Sequence, residues 1–151
     1  MYPVEACVQP SNNGQWVEYL AYDQSYVHSV LFATQAFFDY VQTGRFGDKT
    51  LQHLNKTLST LRQRLLHDEL ATSDSTISIV LTLAMMADIL DDAEATRNHI
   101  QGLHKLVTLR GGILGLSHDN ELQSKVLRSV IPSISPTPTL TFDPLSEPTS
   151  A

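Results

Sequence analysis

The chain has 151 residues, of which 42% are hydrophobic and 17% are charged, a composition typical of one globular domain and not of a disordered chain. Ten Lys and Arg stand against sixteen Asp and Glu, and the resulting net charge of -6 repels phosphate backbones, so we expect no direct binding to nucleic acid. Cys7 is the only cysteine, which excludes an internal disulfide and a zinc site built on cysteines.

The N-terminal part of the chain is predicted to be an arm followed by a helix. Residues 1–22 are rich in turn-forming residues and form the predicted arm, which we expect to be loosely ordered. The first helix is predicted over about 25–44, where Gly44 can provide a left-handed cap. Its apolar residues recur at helical spacing and form one face, which consists of Val27, Val30, Leu31, Thr34, Phe37, Phe38 and Val41.

A second helix is predicted from Asp48, as its capping residue, to about His67. Its leucines alternate spacings of three and four, the heptad pattern of a helix that packs against a neighbour. At little over two heptads, the pattern favours an ordinary bundle face over a dimerising coiled coil. These leucines are Leu51, Leu54, Leu58, Leu61 and Leu65.

The third predicted helix, which ends near Leu90, is the most apolar part of the chain. Ser73, Asp74 or Ser75 can cap it, and its residues are apolar nearly all the way round, which indicates burial among neighbouring helices. Residues 77–90 form the longest apolar-rich run, and at fourteen residues it falls short of the roughly 20 that a bilayer crossing needs. We therefore expect no membrane span.

A fourth helix is predicted over about 93–110. Asp91 and Glu94 have the spacing of a capping box at its start. Gly111–Gly112 supplies the left-handed residue that commonly ends a helix. Gly102 lies in the middle of this helix, where it costs about 1 kcal/mol relative to Ala, and it predicts a close approach of a second helix as compensation.

The last predicted helix begins at Ser117 and runs over about 118–131. From Pro132 the sequence is rich in Pro, Ser and Thr, which indicates a disordered tail over 132–151. In no stretch between turns do apolar and polar residues alternate with a period of two, so no sheet is expected. The predicted fold is all-α, an irregular antiparallel bundle of about five helices in a domain over 23–131, with a disordered C-terminal tail.

No group of residues has the spacing of a catalytic, cofactor-binding or metal-binding site. His99 and His104 lie five residues apart, about 140° around a helix axis, which does not suit a shared metal ion. The remaining histidines lie on other helices or at their edges, and the sequence alone cannot bring together His28, His53, His67 and His118. An acidic group lacks the spacing of a calcium loop and is explained by helix capping; it consists of Asp88, Asp91, Asp92 and Glu94. We predict no catalytic, cofactor-binding or metal-binding residues, and no enzymatic activity.

Three segments carry a family resemblance. They are SDSTISIVLTLAMMADIL at 73–90, HIQGLHKLVTLRGGILGL at 99–116 and ELQSKVL at 121–127. In this order they resemble the regulatory domain of fungal-specific transcription factors. Members of that family usually join the domain to an N-terminal six-cysteine zinc cluster that binds DNA, which this chain cannot form with one cysteine. The family's helices also continue beyond the last segment, so the chain looks like part of the domain.

The resemblance implies a transcription-factor-like regulatory or protein-interaction domain that lacks its own DNA-binding zinc cluster. It implies a nuclear location, with the cytoplasm as the alternative, and protein partners or self-association; a small-molecule effector is compatible with it. The alternative function is a small helical scaffold or apolar-ligand-binding module with no transcriptional role, using a gap around Gly102 and the Met85–Met86 pair. If later helices are missing, the apolar faces of 77–90 and 122–130 lack cover, and we expect a dimer or an aggregation-prone monomer.

Overall fold

The structure is a computed structural model that describes residues 15–134, and the side chains of 17–130, as seven α-helices and one short 3-10 helix. The elements are α1 (Gln15–Tyr22), α2 (Gln24–Thr43), α3 (Asp48–Arg64), α4 (Asp68–Ala71), α5 (Asp74–Ile89), α6 (Ala93–Leu109), the 3-10 helix Ile113–Leu116 and α7 (Asn120–Ile134). No strand occurs within the described residues, and the predicted all-α fold is confirmed there. The five long helices match the five predicted ones to within three residues at each end.

Helix α5 lies at the centre of the bundle and packs against α2, α3, α6 and α7. Ten of its sixteen residues are buried, as expected for a helix that is apolar on all sides and can be covered from several directions. Its predicted burial among neighbouring helices is therefore confirmed. The side chains that surround it in the core are Phe32, Ala36, Leu61, Leu103, Leu106, Val107, Leu116, Leu122 and Val126.

Helices α2 and α3 form a hairpin that Asp39 holds together. Its Oδ2 atom accepts hydrogen bonds from the backbone N–H of Gly47 (2.7 Å) and from the hydroxyl of Thr50 (2.6 Å). These bonds, that of Thr50 first, hold the pKa of the Asp39 carboxyl below its ordinary value. The buried Thr50 side chain is thereby satisfied.

The leucine pattern of α3 packs into the bundle only in its middle. Leu61 is buried and Leu54 and Leu58 are partly buried, whereas Leu51 and Leu65, at the two ends, are exposed. Small polar residues complete the buried stripe, which also includes Thr50 and Thr57. The middle of the pattern thus behaves as an ordinary bundle face.

The caps of α5 and α6 follow the predicted chemistry but differ in one residue. The hydroxyl of Ser73, one of three predicted caps of α5, accepts a hydrogen bond from the N–H of Thr76. Asp92, and not Asp91, caps α6 by accepting a hydrogen bond of 2.9 Å from the N–H of Ala95. The reason is that Asp91 has a left-handed backbone (φ 58°) and belongs to the turn that ends α5.

Two further predicted helix starts are wrong. Gly47 is the residue before α3 and Asp48 is already helical, so Asp48 supports the helix dipole from the first turn instead. Asp119, and not Ser117, caps α7, because its carboxylate accepts a hydrogen bond of 2.9 Å from the N–H of Leu122. Ser117 follows directly on the 3-10 helix, an element that the sequence does not predict.

The sequence also does not predict α1, which occupies 15–22 within the predicted arm. A helix of eight residues is marginal alone, and this one is supported by tertiary packing. The ring of Tyr19 contacts that of Tyr26 in α2 edge-on, with centroids 5.5 Å apart. The rest of the predicted arm, residues 1–14, lies outside the described residues.

Helix α7 continues through Pro132 to Ile134, so the prediction that the helix stops before Pro132 is wrong. Proline fixes φ near a helical value, and in the last turn its missing N–H costs only one hydrogen bond. The rest of the predicted tail, residues 135–151, lies outside the described residues.

The glycines around the end of α6 have two different roles. Gly111 and Gly112 have positive φ values of 101° and 82° and end the helix, as predicted. A Cβ atom on Gly115 would lie 2.6 Å from the backbone carbonyl oxygen of Arg110, so this position tolerates no side chain. Gly102 has open space around its would-be Cβ, and the predicted close approach of a second helix there is wrong.

We expect Gly115→Ala to lower the free energy of unfolding by about 1–3 kcal/mol, since the new methyl group must displace backbone. Gly102→Ala is the matched control, because the same methyl group enters open space inside a helix and should raise the free energy of unfolding by about 0.5–1 kcal/mol. Urea unfolding followed by circular dichroism measures both. Equal effects of the two substitutions would contradict the packing assigned to Gly115.

Candidate functional site

The N-terminus of α5 is a junction of charged side chains from other helices. Nη2 of Arg110, at the end of α6, lies 2.6 Å from Oδ1 of Asp74, and Nη1 donates to the carbonyl of Thr72. The Oδ1 atom of Asp74 has no well-directed hydrogen bond among the described residues, so its contact with Arg110 is an ion pair. Nε2 of His118 lies 2.7 Å from the other carboxylate oxygen. Arg110, directly before Gly111–Gly112, therefore links the end of α6 to the start of α5.

A second set of polar contacts joins the starts of α2 and α5. Asp23 caps α2 through the N–H groups of Ser25 and Tyr26, and it also accepts hydrogen bonds from the side chains of Arg64 and Ser75. Burial raises the pKa of Asp23, but the hydrogen bonds of Arg64, Ser75 and the Tyr26 N–H outweigh it, and the pKa lies below its ordinary value. These side chains hydrogen-bond to one another, and we assign them a structural role.

Two of the histidines that the sequence leaves apart are brought together. The Nδ1 atoms of His28 in α2 and His53 in α3 lie 3.0 Å apart, so at least one of the two must be unprotonated to accept a hydrogen bond. Burial first, and then the charges of His53 and Lys56, lower the pKa of His28. The pair does not extend to a third ligand, since among the described residues no three His, Cys, Asp or Glu side chains are grouped as a metal ion would require.

The apolar face predicted for α2 is not the face that packs into the core. The buried residues of α2 are mostly small, which lets the helix approach α5 and α3 closely; they are Ser25, Ser29, Phe32 and Ala36. Val27 and Val30 of the predicted face are partly buried, but the rest of it lies on the outside, where Phe37 is 49%, Phe38 54% and Val41 67% exposed. We call Leu31, Thr34, Phe37, Phe38 and Val41 the α2 outer surface.

The α2 outer surface carries no charge. Asp39 is the only acidic or basic residue of α2, apart from His28, and its carboxylate is turned toward Gly47 and Thr50 in the hairpin. The rings of Phe37 and Phe38 lie edge to face, with centroids 6.2 Å apart. Such an apolar surface is typical of a contact with another macromolecule.

A pocket of about 250 Å³ opens between α1, α2, α5 and the start of α7. Met85 and Met86, which the sequence singles out for an apolar gap, line it, but Gly102 does not. The sequence does not identify the other main contributors, because Tyr19, Tyr26 and Asp119 come from three separate segments. Only the Asp-to-Leu122 capping interval could have drawn attention to Asp119.

The chain was compared with protein-family models, with curated proteins and with solved structures, and none matches. The resemblance to the regulatory domain of fungal-specific transcription factors therefore stays a prediction. Among the described helices, none combines the length and the hydrophobicity that a bilayer crossing requires.

The histidine pair predicts a pH dependence of stability. Because the pKa of His28 is lower in the folded chain than the roughly 6.5 of an unfolded histidine, the unfolded state binds more protons below that pH. The free energy of unfolding should therefore fall as the pH drops below about 6.5. His99, whose pKa burial also lowers, contributes in the same direction.

Urea unfolding between about pH 7.5 and 5.5 measures this dependence. His28→Gln should make the curve flatter, while His104→Gln, on the exposed side of α6, should leave it unchanged. If the free energy of unfolding of both variants depends on pH as steeply as that of the unsubstituted chain, the histidine pair does not cause the pH dependence.

Proposed function

We propose that this chain is a regulatory-type protein-interaction domain, with a role similar to that of the fungal transcription factor domains it resembles and without its own DNA-binding zinc cluster. The observation that carries the proposal is the α2 outer surface, an uncharged apolar face on a chain whose net charge is -6. A nuclear location, with the cytoplasm as the alternative, belongs to the same proposal and rests on the resemblance alone.

The partner that fits this surface is a second copy of the chain. The net charge of -6 opposes contact between two copies, but two α2 outer surfaces can meet without any like-charge pair. A surface that contacts its own copy generates a closed two-fold dimer, the commonest oligomer.

The size of the surface also fits a dimer. Each half-exposed phenylalanine leaves roughly 100 Å² of apolar area, and with Leu31 and Val41 the patch is roughly 400 Å². Such a patch suits the apolar centre of an interface of about 800 Å² per partner. The residues around the patch would then form the polar rim of the interface.

We expect the chain to be a dimer in light scattering coupled to size exclusion, and Phe37→Ser/Phe38→Ser to shift it toward the monomer. Both side chains are about half exposed, so the double variant should keep its helical circular dichroism. The matched control is Leu66→Ser, an 80% exposed leucine after α3, which should leave the mass unchanged. A monomeric unsubstituted chain at about 100 µM, well above the Kd of a specific contact, would refute this role of α2.

The alternative, a helical scaffold without a transcriptional role, can use the same surface and needs a different test. We expect the chain, when fused to an unrelated DNA-binding domain, to change the output of a reporter gene in fungal cells, because a regulatory domain acts through what it recruits. Phe37→Ser/Phe38→Ser should reduce this effect and Leu66→Ser should not. An unchanged reporter from a well-expressed fusion would favour the scaffold.

A further inference from the structure

The pocket between α1, α2, α5 and α7 combines an apolar wall with acidic side chains, and it shares no residue with the α2 outer surface. One side is apolar and consists of Leu81, Met85 and Ile89 of α5, and the rings of Tyr19 and Tyr26 contact each other at its edge. Its volume of about 250 Å³ exceeds the roughly 150 Å³ of a cavity that accepts benzene. An aromatic ring with a short side chain fits this space.

The pocket also contains a buried carboxylate with unused hydrogen-bonding capacity. Asp119 is only 6% exposed, and one of its oxygens accepts the N–H of Leu122. Among the described side chains, 17–130, no hydrogen bond to the other oxygen is formed, and this oxygen is not fully buried. Nearby, Glu121 is already paired with Lys125, whose Nζ lies 2.5 Å from Oε1. Among the described residues, Asp119 is therefore the acidic group of the pocket that has no cationic partner.

The electrostatics of the pocket favour a cation over an anion. Burial, and then the negative charges of Asp74 and Asp119, raise the pKa of Tyr19 to about 12. Burial, and then Glu121 and Asp119, raise the pKa of Tyr26 in the same way. Burial disfavours a charged ligand of either sign, whereas the negative charges of Asp74, Asp119 and Glu121 near the two tyrosines disfavour only an anion.

We propose that this pocket binds a small organic amine, with its ammonium group at the carboxylate of Asp119 and its apolar body against Met85, Leu81 and Ile89. Charge supplies the selectivity for the amine, and the apolar wall supplies affinity for any ligand of similar shape. The inference does not depend on self-association, and its test is separate from that of the proposed role of α2.

The test uses three probes of nearly the same shape: 2-phenylethylamine, 2-phenylethanol and 3-phenylpropanoate. In isothermal titration of the unsubstituted chain, we expect the amine to bind at least about tenfold more tightly than the alcohol, and the carboxylate to bind more weakly than the alcohol. Equal affinities, or preference for the carboxylate, would overturn the proposal without any variant being needed.

Two substitutions then locate the site. Asp119→Asn keeps a capping residue for α7 and removes the charge, so the amine should bind only as well as the alcohol. Met85→Ser, at a half-exposed position, should weaken both ligands by a similar factor. Phe37→Ser/Phe38→Ser is the control and should alter neither. Undiminished amine binding by folded Asp119→Asn would place the amine elsewhere and overturn the proposal.

Discussion

A helix at the centre of a bundle has little access to water, so the free backbone groups at its ends need hydrogen-bond partners from the protein or from ordered water. In this chain the constraint falls on residues 73–76, the start of α5. Ser73 caps the helix, and the next three side chains bind groups from other parts of the chain. The groups held in this way are Asp23, Leu70, Arg110 and His118. Residues 73–76 thus contact the starts of α2 and α7 and the end of α6, and help to position these helices around the core.

Several charged side chains hold helices together, while most of the others are exposed at the surface. The ion pairs of Asp23 and Asp74 bind helices to one another, and Asp39 holds the α2–α3 hairpin. Two other features take no part in these ion pairs, namely the uncharged surface on α2 and the buried carboxylate of Asp119 in the pocket. Both features are suited to binding, and the proposals rest on them.

The positions of the long helices follow from the sequence because periodicity, capping residues and glycines act locally. The face that α2 buries does not follow, since close packing selected small residues such as Ser29 and Ala36 while Phe37 stayed outside. Caps differ by one or two residues where neighbouring side chains have equivalent chemistry, as Asp91 and Asp92 do. The histidine pair and the pocket depend on contacts between distant segments, which no local pattern encodes.

The polar contacts at the start of α5 also have a consequence for the order of folding. The two helical hairpins, α2–α3 and α5–α6, close over short loops, and contacts of this kind form fast. The bond from Asp23 to Ser75 instead spans 52 residues and can form only after both hairpins have met. We expect the hairpins to be structured in the transition state for folding and the contacts of Asp23 to form after it, so that weakening them would accelerate unfolding and leave the folding rate nearly unchanged.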